Sequence, residues 1–137
     1  MPKMKELTVT IADQPGALGA CFKALAGRGI NIFAFQSYVE EGESLARLVV
    51  DDPVNARAVL GTLGMLFEVT EVAAVRLANQ TGQLARAAVA LGEGGINIDY
   101  SYCGIEPGSA QALVVFGVDN TAQAATLLDA LAEALDR

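Results

Sequence analysis

The sequence predicts an α+β chain made of two tandem ferredoxin-like units of order βαββαβ, antiparallel sheets with helices on one face, the second unit lacking a closing strand. Three observations carry that reading. Asp13-Gln14-Pro15-Gly16-Ala17-Leu18 returns as Asn79-Gln80-Thr81-Gly82-Gln83-Leu84, and Gly29-Ile30-Asn31-Ile32 returns as Gly95-Ile96-Asn97-Ile98, both at a spacing of 66. Nine of the twenty positions from Asp13 to Ile32 are identical to their counterparts. A spacing this long exceeds that of solenoids and propellers and indicates two copies of a small domain, residues 1–71 and 72–137. Within both copies the apolar period switches between 2 and 3.6 in the same order. Finally, 137 residues with 53% hydrophobic and 18% charged content can bury a core and lack the signature of disorder.

Each copy opens with a strand, because Leu7, Val9 and Ile11 alternate with Glu6, Thr8 and Thr10, and apolar Ala73, Val75 and Leu77 recur at the same offset. After the glycine turn, Leu18, Cys21, Phe22 and Leu25 fall at i, i+3, i+4 and i+7, and Leu84, Ala87, Ala88 and Leu91 repeat the stripe of an amphipathic helix. Gly27 and Gly29, then Gly92, Gly94 and Gly95, are expected to end these helices in left-handed caps. Hairpins follow: Ile30 to Val39 with Leu45 to Val50, and Ile96 to Cys103 with Ala110 to Val118. A second helix starts at Asp52-Pro53, with apolar residues Ala56, Val59, Leu60 and Leu63. Its counterpart follows Asp119 or Asn120 and carries Ala124, Leu127, Leu128 and Leu131. Phe67 to Thr70 closes the first copy, and Phe67 to Leu77 is expected to run as one continuous or bulged strand serving both units.

Composition narrows the chemistry. Nine Lys and Arg against sixteen Asp and Glu give a net charge of −7, the wrong sign for a nucleic-acid binder or an anionic membrane. Histidine is absent, which removes the commonest general base and metal ligand. The two cysteines lack CxxC spacing and suit a reducing cytoplasm. No stretch reads as a membrane span or signal peptide, and no metal or cofactor is expected. Cys21 falls on the helix stripe and reads as core; Cys103 reads as a buried strand cysteine, with pocket lining beside Tyr100 and Tyr102 as the alternative.

The repeated turn followed by the repeated Gly-Ile-Asn-Ile segment resembles the ACT domain, a small-molecule regulatory module of amino-acid metabolism. The resemblance covers essentially the whole chain, twice, and is similar to a stand-alone tandem ACT protein. It implies binding of a free amino acid at an interface between ACT units, without catalysis. Copy two departs from the pattern at Thr81, where proline is usual, and at Asn79, which lacks the charge of Asp13. The two sites are therefore expected to be unequal.

Physical reasoning about the turn points the same way. Backbone amides opening the first helix near Gly16, Ala17 and Leu18 lack intrahelical partners and sit at the positive end of the dipole, so a carboxylate docks there. Gly82, Gln83 and Leu84 offer the same surface in copy two. The ligand's ammonium would find acceptors at Asp13, Asn31 and Ile32, or at Asn79, Asn97 and Ile98, with Gln14 and Gln80 inside the turns. Structural roles compete: Asp13 and Asn79 as caps, the glycines for backbone shape, Asn31 and Asn97 as short polar residues after a helix end.

Phe33, Phe35 and Val39 on one strand face, with Ile32, Ala34 and Tyr38 on the other, predict a sheet needing cover on both sides, by a homodimer partner or by the two copies mutually. The leading expectation is thus a non-catalytic amino-acid sensor. A regulatory or docking subunit of an amino-acid metabolism enzyme, with no ligand of its own, is the alternative. An acylphosphatase-like enzyme ranks last, since neither turn carries an arginine to hold phosphate.

Overall fold

The computed structural model describes residues 3–135, with elements β1 (Lys3–Ile11), α1 (Ala17–Ala26), β2 (Ile32–Glu40), β3 (Glu43–Val50), α2 (Pro53–Thr62), β4 (Phe67–Ala78), α3 (Gln83–Glu93), β5 (Ile98–Ile105), β6 (Gln111–Val118) and α4 (Thr121–Leu135). They form two compact units: Lys5–Thr70, and residues 71–135 together with Lys3 and Met4. Strand β4 is continuous, its first four residues belonging to one unit and its last eight to the other. No strand follows α4 among the described residues.

Each unit is ferredoxin-like. In the first, β3 lies between β1 and β2, antiparallel to both, with Leu7 opposite Leu48 and Leu48 opposite Phe35. Leu7, Val9 and Ile11 therefore share a face with Ala46, Leu48 and Val50, and Cys21 and Leu25 of α1 and Ala56, Val59 and Leu60 of α2 pack on that same face. In the second, β6 lies between β4 and β5; Ala73, Val75, Leu77, Val114 and Phe116 receive Ala87 and Leu91 of α3 and Ala124 and Leu128 of α4.

The register breaks between Ile32 and Ala34 and again between Ile98 and Tyr100, each a bulge that alters strict alternation. Ile32 opposes Val50 and Phe35 opposes Leu48, so both face the helices, while Ala34 opposes Val49 on the other side. The expected partition of β2 side chains between its faces is corrected accordingly. On the face away from the helices, Ala34 and Val49 are buried in the first unit, and Val72, Ala74, Leu113 and Val115 in the second. In the first unit, on that same face, the wholly buried Glu6 carboxylate meets Arg47 at 3.1 Å, and Arg47 Nε donates to Tyr38 Oη at 2.9 Å.

Helix ends explain much of the repeat. Gly29 and Gly95 have φ of 73° and 77°, whereas Gly27 is right-handed, so one glycine of each expected group makes the left-handed cap. The Ile30 amide donates to Leu25 O and the Gly29 amide to Ala26 O; Ile96 to Leu91 and Gly95 to Gly92 repeat the pattern. These are Schellman motifs, and each isoleucine belongs to the same buried core cluster as the leucine it reaches back to. The β2–β3 hairpin is tighter than its acidic quartet suggests: Glu41 and Gly42, with φ of 50° and 80°, turn between paired Glu40 and Glu43.

Candidate functional site

Among the described residues four helices begin, and they begin in two ways. Asp52 caps α2 by accepting from the Asn55 amide at 3.1 Å, and Asn120 caps α4 by accepting from the Gln123 amide at 3.1 Å, which selects Asn120 over Asp119. Helices α1 and α3 have no side-chain cap; they are entered through Gly16 and Gly82 at φ of 87° and 89°. Asp13 and Asn79 are exposed in the turns and do not cap.

The open donors can be identified. Ala17 N–H turns back to Gln14 O at 3.3 Å, and Ala20 N–H starts the helical ladder on Gly16 O at 3.0 Å. Gln83 N–H likewise reaches Gln80 O at 3.2 Å, and Arg86 N–H reaches Gly82 O at 3.0 Å. Amides of Leu18 and Gly19, and of Leu84 and Ala85, are left without an i−4 carbonyl. The donor pair thus sits one residue further into the helix than the sequence suggests, because the amides of Ala17 and Gln83 are spent within the turn. A Cβ at Gly16 or Gly82 would meet nothing within 4 Å, so what fixes glycine at both is the left-handed backbone.

Asn31, Ile32, Asn97 and Ile98 lie elsewhere. Ile11 opposes Ser44 and Ile32 opposes Val50, six residues along β3, a separation of about 20 Å at roughly 3.3 Å per residue. Leu77 opposite Ala112 and Ile98 opposite Val118 give the same spacing in the second unit. Turn and asparagine therefore occupy opposite ends of a unit, and the single small gap expected between them does not form within one unit. Asn31 is instead tied to the β3–α2 junction, its amide donating to Asp51 Oδ1 at 2.9 Å; the Asn97 side chain donates to Asp99 Oδ1 at 3.2 Å.

Around the turn of the second unit the surface is recessed on two sides, and Ala78, Gln80 and Gln83 line both recesses. One, of about 320 Å³, lies between β4 and α4, where Arg76 pairs with Glu106 at 2.6 Å. The other, of about 270 Å³, lies between α3 and β5, walled by Leu77, Leu84, Ala112 and Val114 with Asn79 at its rim. Ser101, Tyr102 and Cys103 of β5 also line it. Cys103 is exposed, which corrects the expectation of a buried strand thiol; Cys21 is buried, and that burial raises its pKa. The α3–β5 cleft escaped the sequence reading, although one signal was available: Phe22 and Phe35 become Ala88 and Ser101 in the second copy.

The model of the ACT domain pair family matches residues 2–134. Among solved structures, protein BT0572 from Bacteroides thetaiotaomicron is similar at TM-score 0.81 and 24% identity, over 93% of this chain and 87% of that one. The ligand-free regulatory subunit of aspartate kinase from Thermus thermophilus is similar at TM-score 0.60 and 21% identity, over 93% and 91%. Its counterpart from Thermus flavus gives TM-score 0.58 and 20% identity, over 94% and 92%. At these identities the likeness is one of fold. A search of curated protein sequences returns no match.

Proposed function

Because the chain belongs to the ACT domain pair family, we propose that it is a non-catalytic regulatory protein that binds a free amino acid, with residues 1–71 and 72–137 as its two modules. One observation carries the reading. Where α2 and α4 use a side chain to satisfy their opening amides, α1 and α3 leave theirs open behind a left-handed glycine. The ligand carboxylate docks on the Leu18 and Gly19 amides or on those of Leu84 and Ala85, where charge-assisted bonds and the helix dipole act together.

Residues Asp13, Gln14, Asn79 and Gln80 offer acceptors to the ammonium beside the turn. Asn31, Ile32, Asn97 and Ile98, at the far end of each unit, take part only when a turn of one unit meets the asparagine segment of another. Exposed Phe35, Val39, Leu84, Val89 and Ile105 give a homodimer partner apolar surface to cover. Two free cysteines suit a reducing, cytoplasmic setting.

The test is a thermal-shift panel of the standard amino acids. A ligand at a hundredfold excess over Kd adds about 2.7 kcal/mol, several degrees in a chain of this size. A flat panel removes the sensor reading and leaves the second one, a docking subunit for an enzyme of amino-acid metabolism, which the fold it shares with regulatory subunits of aspartate kinase favours.

A further inference from the structure

We propose that only the second unit takes up the amino acid, and that the ligand's side chain is uncharged and occupies the cleft between α3 and β5; this rests on the amino-acid-binding reading above. The repeat itself supplies the comparison. At its spacing of 66, Phe22 and Phe35 of the first copy correspond to Ala88 and Ser101 of the second. Phe22 and Phe35 meet edge to face at 5.4 Å between α1 and β2. That pair lies on the helix-facing side of the sheet, since Phe35 opposes Leu48 of the core and Phe22 packs against the same core. Ala88 and Ser101 have no such bulk, and Ser101 lines a recess of about 270 Å³ in the second unit.

Its chemistry selects the ligand. Leu77, Leu84, Ala112 and Val114 supply an apolar wall, Ser101 and Cys103 add small weakly polar groups, and among the described residues no charged one lines it. A charged side chain entering there would lose water without gaining a counter-ion, whereas an aliphatic one gains by leaving water. The volume lies just below the ~300–1,000 Å³ range of drug-sized ligands and suits a single amino acid. Leu84 belongs to both parts of the site: its amide is one of the open donors and its side chain walls the cleft, so carboxylate and side chain are read within one turn of helix.

Cys103 provides the probe, since it lines the cleft and is exposed while Cys21 is buried. The full chain is titrated with each standard amino acid by calorimetry, and the reaction of its native thiol with Ellman's reagent is timed with and without the amino acid that binds. Expected are one ligand per chain, an uncharged side chain and about tenfold or greater slowing of the Cys103 reaction at saturation. Ala88→Phe with Ser101→Phe, which rebuilds the plug of the first copy, weakens binding by about tenfold or more, while Phe22→Ala with Phe35→Ser leaves affinity unchanged. Protection of Cys103 in the unaltered chain needs no variant and stands even where the double variant misfolds. Two ligands per chain, a charged amino acid as the sole ligand, or binding with Cys103 unprotected overturns the cleft assignment and leaves amino-acid binding intact. Failure of every amino acid to bind overturns both.

Discussion

At the scale of single residues, the left-handed glycines and the thiols make the clearest statements. Gly16 and Gly82 have open space around a would-be Cβ, so Gly82→Ala carries only the backbone cost of the left-handed region, about 1–2 kcal/mol, read as a lower midpoint in denaturant. Native protein should release one equivalent of thionitrobenzoate from Ellman's reagent, as the Cys103 thiolate forms the mixed disulfide, and a second only in denaturant. Burial raises the Cys21 pKa and so favours its unreactive protonated form. Arg47→Ala removes the ion pair that Arg47 makes with the wholly buried Glu6 carboxylate, and chemical denaturation should show a loss of about 3–5 kcal/mol.

At the scale of elements, the two copies solve one packing problem with opposite choices. Ala34 opposes Val49 in the first unit, and Tyr100 opposes Gly117 in the second, where a Cβ on Gly117 would collide with the Tyr100 ring. Gly117→Val should therefore cost about 1–3 kcal/mol through overpacking. Adding Tyr100→Ala should recover a large part of it, a coupling that a double-mutant cycle on thermal midpoints measures. Elements of this kind were largely legible beforehand: strand and helix periods, the Asp52 cap and the shared strand Phe67–Ala78 all follow from local pattern. The bulges at Phe33 and Asp99 were not, because a bulge is set by the ladder of the neighbouring strand and leaves no period of its own. The Gly-Ile-Asn-Ile segments were legible as a repeat, yet their glycine and isoleucine are accounted for by helix termination alone.

At the scale of the whole chain, duplication supplies two uncapped helix entrances, and divergence gives them different surroundings. The open amides could be located from sequence to within one residue; the α3–β5 cleft could not, because its walls come from β4, α3, β5 and β6 and meet only in the folded unit. The asparagines show the limit of reading motifs by proximity in sequence, since helices of ten and eleven residues separate them from the turns they were expected to join. Everything functional in this account rests on a carboxylate meeting backbone N–H groups at these entrances. The most direct measurement is calorimetric: the amino acid that stabilises the chain is compared with its own carboxamide. At least a tenfold loss of affinity is expected for the carboxamide, since a hydrogen bond to a charged group contributes about 1.5–3 kcal/mol. Equal affinity for acid and amide would contradict it.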